Sequence, residues 1–143
     1  MQPVDLDQPD IEIIPRRTTA AEVLVVGSDE WAIGDAVSQL RSAGRVAHRC
    51  SDSAEAPFPC QALIPGRGCP LDQHEVDVVL DIRTRPTVEP ALWEMGAVCG
   101  LRDGLPLVVA GVSESSAFAP WAERVPQSGD IVSTCDEAFR KQA

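Results

Sequence analysis

The residue types best suited to chemistry in this chain are two carboxylates thirteen positions apart. Asp81 closes an apolar run, VVLDIR, and Glu94 follows Trp93 in WEMGAVCGLRDG. A carboxylate can form a covalent glycosyl intermediate, and a second carboxyl group close by can serve as acid and base. A second set is made of soft ligands. His48 and Cys50 lie one residue apart at the end of a strand, and Cys60 and Cys69 sit in a Pro-rich stretch. These four supply the nitrogen and thiolate donors of a tetrahedral zinc site that would pin that stretch down. Without a C-x-x-C pair, buried free thiols are the alternative, and zinc is the one cofactor these residues admit. A third set follows the first apolar run: Gly27, Ser28, Asp29 and Trp31, with Arg83 two residues past Asp81. No Walker A motif and no G-x-G-x-x-G is present, so this turn does not read as a phosphate cradle, and no nucleotide cofactor is expected.

These residues need a frame. EVLVVGS and LPLVVAG are short apolar or β-branched runs of the kind buried on both faces of a parallel sheet, VDVVLDI reads as another strand, and RVAHRC is a further strand candidate. Between the first two, residues 30–43 place Ile33, Val37, Leu40 and Ala43 at helical spacing, with Gly44 as a stop. Between the third and fourth, TVEPALWEMGAVCGLRDG predicts a helix with Thr87 as its cap and Pro90 in its first turn. Gly96 and Gly100 allow it close approach to the sheet. AFAPWAERV predicts a weaker helix, DIVST a fifth strand, and CDEAFRKQA a terminal helix. Alternating strands and helices predict a single α/β domain over residues 20–143. Its architecture is a doubly wound, mostly parallel five-stranded sheet of the flavodoxin-like order 2-1-3-4-5. Residues 51–75, with four prolines, form a Pro- and Cys-rich loop in place of a helix between strands two and three. Residues 1–19 read as a flexible acidic tail. Ligands of such sheets sit beyond the carboxyl ends of the strands, where Gly27 to Glu30, Asp81 to Arg85 and Ala110 to Ser113 are expected.

VLVVGSDEWAIGDAVSQLRSAG followed by VDVVLDIRTRP resembles the receiver domain of bacterial response regulators, over most of residues 22–111. In that family the first strand ends in acids that hold Mg²⁺, and the third ends in a phosphorylated Asp with a Pro nearby. Asp81 takes the position of that Asp. Gly27 and Ser28 stand at the metal positions, with Asp29 and Glu30 displaced, and Ala110 or Gly111 replaces the hydroxyl residue after strand four. No Lys follows the predicted fifth strand. The resemblance therefore implies a receiver-like fold without the switch, hence a non-catalytic regulatory or protein-binding module. A second stretch, WEMGAVCGLRDGLPLVV, is similar to nucleoside 2-deoxyribosyltransferases, whose nucleophile takes the position of Glu94. That likeness implies a nucleoside-cleaving or deoxyribosyl-transferring enzyme with Asp81 as acid and base. The family's Gly-Thr pair falls on Pro90 and Ala91, and the chain has no Tyr to orient a nucleophile.

Composition limits the partners. At 143 residues there is room for one domain and one core, and 22 acids against 12 bases give a formal charge of -10 that repels phosphate backbones. Nucleic acid is not an expected partner. A protein or small molecule at the carboxyl edge is, and a homo-oligomer stays open. No segment approaches the roughly 18–20 apolar residues of a membrane span, and the acidic start does not read as a signal peptide. Five cysteines, an odd number, fit free thiols in a reducing cytoplasm better than a disulfide framework.

Overall fold

The structure, a computed structural model, describes residues 21–27, 29–50, 68–73, 75–84, 94–111, 118–125 and 130–142. The acidic tail, Ser28, Cys60, Thr87, Pro90, Trp93 and most of the Pro-rich loop lie outside them.

Five strands form one parallel sheet: β1 (Glu22–Gly27), β2 (Val46–Arg49), β3 (Val78–Arg83), β4 (Leu107–Gly111) and β5 (Ala122–Arg124). Their order is 2-1-3-4-5, the flavodoxin-like arrangement expected from the alternating pattern. The helices are α1 (Glu30–Ser42), a single turn α2 (Pro70–Gln73) within the Pro-rich connection, α3 (Met95–Arg102) and α4 (Ile131–Gln142). No helix among the described residues is long and apolar enough to cross a membrane.

Strand periodicity divides the core into two layers. Val23, Val25, Val78, Leu80, Ile82 and Val108 point to one face, where Ile33, Ala36, Val37 and Leu40 of α1 meet Ile131, Cys135 and Ala138 of α4. Leu24, Val26, Val79, Leu107 and Val109 point to the other, against Ala97 and Leu101 of α3 and Phe118. Burial of each Val or Leu contributes about 1.5–3 kcal/mol, which is why continuous apolar strands end up covered on both faces. Gly96 is what lets α3 sit so low. A Cβ there would come within 2.6 Å of both Cys50 Sγ and Val26 Cγ1.

The carboxyl-terminal quarter departs from the sequence pattern. AFAPWAERV does not form a helix: Ala119–Trp121 is a 3-10 turn and Ala122–Arg124 is the fifth strand, paired with Leu107–Val109. DIVST is not a strand but the start of α4. The β-branched run misled because Asp130 is a capping residue. Its Oδ1 accepts from Ser133 N at 2.7 Å, Ser133 Oγ donates to Oδ2 at 3.2 Å, and Thr134 Oγ1 donates to the Asp130 carbonyl at 3.0 Å. Once capped, residues 131, 135 and 138 recur at helical spacing and fill the α1 side of the core. Arg45 then locks α4 to the end of α1, donating from Nε and Nη2 to the Asp136 carboxylate at 3.0 and 2.5 Å. Lys141 reaches Glu123 of β5 at 3.0 Å.

Asp130→Ala is therefore expected to lower the melting temperature by a few degrees and Asp130→Ser to restore most of the loss, as read by circular dichroism. The Ser133 hydrogen bonds hold the Asp130 carboxyl below its usual range. Its contribution is thus present above the unfolded carboxyl pKa and is lost as pH falls through the lower folded value.

Candidate functional site

Asp81 lies on the α3 side of β3, the central strand, with Val26 of β1 and Val109 of β4 opposite it on either side. Arg83, two residues on, shares that face. Glu94 stands at the N-cap of α3 with φ -97° and ψ 10°, and its side chain makes no capping bond. It turns into the sheet instead. Arg83 Nε lies 2.7 Å from Glu94 Oε2, and Arg83 Nη2 donates to Oε1 at 3.2 Å. All three residues are buried: Asp81 is 0%, Glu94 1% and Arg83 5% exposed.

The two carboxylates singled out from sequence thus come together, and Arg83, expected as a surface-binding residue, is their buried counter-ion. The signal for that role was present in the i, i+2 spacing of Asp81 and Arg83 on one strand face. Neither Asp81 oxygen accepts a hydrogen bond from a donor among the described residues. Burial pushes the Asp81 carboxyl up to about 9, helped by hydrogen-bonding contact with Glu94 and by its negative charge, against the opposing pull of Arg83. Asp81 is accordingly a neutral acid at pH 7.

A protonated carboxyl beside a carboxylate is an acid–base pair, and a strongly shifted group is the kind found at reaction centres and in structural ion networks alike. Both Glu94 oxygens are already engaged by one guanidinium. A nucleophile needs a lone pair open to its electrophile.

The turn after β1 is committed to structure. Gly27 ends β1 buried, and a Cβ there would meet the Ile82 carbonyl oxygen at 2.7 Å. Asp29 is the N-cap of α1, accepting from Trp31 N at 2.9 Å and Ala32 N at 3.4 Å. Glu30 takes both terminal nitrogens of Arg49 at 2.7 Å, tying α1 to the end of β2. Trp31 projects outward and is 78% exposed.

The soft ligands are less gathered. His48 Nε2 lies 3.0 Å from Glu22 Oε1, and Cys50 packs against the α3-side core. Cys69 opens onto α2. Among the described residues no three His, Cys, Asp or Glu side chains form a metal-holding group. Cys135 is a core residue, its thiol pushed up to about 12 by burial. No protein-family model, curated protein or solved structure matches this chain.

Arg83→Met would remove both guanidinium contacts from the buried Glu94 carboxyl, with an expected loss of about 3–5 kcal/mol in urea unfolding at pH 7. The double variant Arg83→Met/Glu94→Leu should recover most of that. Asp29→Ala should cost about 1 kcal/mol and Asp29→Ser much less, the pattern of a helix cap rather than of a ligand.

Proposed function

We propose that this chain is a non-catalytic regulatory or protein-binding module, built on a receiver-like fold that lacks a phosphorylation switch. The observation that carries the reading is the prior engagement of the acids a switch would need. Asp81 is buried as a neutral acid beside an ion pair, Asp29 caps α1, and Glu30 is held by Arg49. Phosphoryl transfer needs a metal and fixed positive groups around the equatorial oxygens. Among the described residues the guanidinium beside Asp81 is that of Arg83, already paired with Glu94.

The recognition surface in this reading is the carboxyl edge around Trp31. Trp31 is left 78% exposed at a helix start on this edge, and Trp is among the residues that most often anchor interfaces. The formal charge of -10 favours a protein partner whose apolar pocket is rimmed by Lys and Arg. The described cysteines carry no disulfide, which fits a reducing cytoplasm.

Intact-mass measurement after acetyl phosphate treatment in millimolar Mg²⁺ should give unmodified protein. An adduct of one phosphoryl group that disappears in Asp81→Asn would overturn the reading. A partner captured by the full chain should be lost with Trp31→Ala and kept with Trp121→Ala, and retention by the Trp31 variant would remove the proposed surface.

One observation favours the second reading, a nucleoside-cleaving or deoxyribosyl-transferring enzyme: Asp81 and Glu94 are in contact and Asp81 retains its proton at neutral pH. That reading requires release of free base from a purine or pyrimidine nucleoside by the wild type and its loss in Glu94→Gln. No turnover across such a screen ends it.

A further inference from the structure

The cluster on the α3 side of β3 holds two acids and one base. Arg83 satisfies Glu94 through two nitrogens, so the charge account of that pair is closed. Asp81 remains, wholly buried, with no donor among the described residues directed at either oxygen. The elements around it offer little help. Its neighbours on β1 and β4 are Val26 and Val109. Among the described residues, the ionisable groups on this side of the sheet are Arg83 on its own strand, Glu94 at the start of α3, the Cys99 thiol further along α3, the Cys50 thiol beside Gly96, and the His48–Glu22 pair at the far end of β1 and β2. Val79, Ala97 and Phe118 complete the apolar surround.

What stands within hydrogen-bonding reach of Asp81 is the Glu94 carboxyl. Two carboxylates can only accept, so a bond between them exists only when one holds a proton. Among the described residues, a second negative charge here would face the Arg83 guanidinium alone, in a medium that screens poorly. The proton therefore acts as a ligand. It satisfies one Asp81 oxygen, removes the excess charge, and bridges β3 to the residue that begins α3.

We propose that Asp81 and Glu94 bind one shared proton, and that this proton, together with the Arg83 guanidinium, fastens the start of α3 to the carboxyl end of β3, so that its release to solvent frees that helix end. The helix concerned is an eight-residue one whose outward face carries Met95 at 50% and Val98 at 42% exposure. Loosening its first turn would alter that surface. This inference does not depend on the module reading, since the shared proton is equally required if the pair is catalytic.

The sign of the pH effect follows from proton binding by the folded state. The unfolded Asp81 carboxyl loses its proton in the ordinary carboxylate range, whereas the folded one keeps it until well above neutrality. The contribution is thus full in acid and declines as pH rises through the interval between the two. Across neutral pH the unfolding equilibrium constant of the wild type should rise about tenfold per pH unit relative to Asp81→Asn, whose amide donates to Glu94 without a titrating proton. Amide exchange over residues 95–102, corrected for intrinsic rates, should quicken in the wild type at pH 9–10 and not in Asp81→Asn. Parallel pH profiles for the two proteins, or an Asp81→Asn variant destabilised equally at every pH, would overturn the proposal. Carbon-13 NMR of aspartate-labelled wild type supplies a measurement free of any variant: one carboxyl resonance should remain in its protonated position at pH 7. Titration of every aspartate below pH 6 would be decisive against the latch.

Discussion

The central strand of a parallel sheet covered on both faces has no route to water for its side chains, and in this chain that strand carries an aspartate. β3 runs VVLDIR, all six residues buried, between β1 and β4. Placing a carboxylate there costs several kcal/mol unless it is neutralised, and everything at the carboxyl edge is arranged around that cost. Arg83 emerges on the same face two residues later, Glu94 is delivered by α3, and Gly96 admits the helix closely enough for it to reach. One guanidinium can balance one acid. The proton on Asp81 balances the other.

The parts of the fold legible in the sequence were those set by a single physical cause. Three apolar runs ended by Gly or charge read as buried strands, and α1 carried both a clean stripe and a Gly stop. The fifth strand was not legible because two local preferences conflicted. Ile131, Val132 and Thr134 favour a strand by β-branching, yet Asp130 satisfies the amide and hydroxyl of Ser133 and starts a helix. The tertiary partner settled the conflict, since α4 buries Cys135 and Ala138 against α1. The real fifth strand is three residues, AER, with no apolar alternation to reveal it.

The candidate site was half legible for a related reason. Asp81 and Glu94 could be singled out as carboxylates at suggestive places, and strand periodicity put Asp81 and Arg83 on one face. Whether Arg83 would reach outward to a ligand or inward to Glu94 depends on how far α3 descends onto the sheet. That depth is set by side-chain packing at Gly96 and Gly100 rather than by any local pattern. Asp29 and Glu30 were ambiguous in the same way: a helix cap and a metal-binding acid use the same oxygens, and the sequence does not say which demand is met first. In the folded chain the backbone amides of α1 and Arg49 meet it.

The 2-1-3-4-5 sheet supports many unrelated chemistries, so the order alone assigns none. Function has to be argued from what the carboxyl edge leaves available. Among the described residues its acids are taken up by capping, by an ion pair with Arg49 and by the Arg83 cluster, all of them interactions that hold elements together. Among the described residues the large group it leaves outside is Trp31. A charge cluster closed to solvent and an aromatic open to it divide the labour of one edge. The first fixes where α3 begins, and the second meets the surroundings at the start of α1. Asp81 and Val26 are cross-strand neighbours, so the buried cluster lies one strand pair from the strand whose carboxyl end leads towards α1.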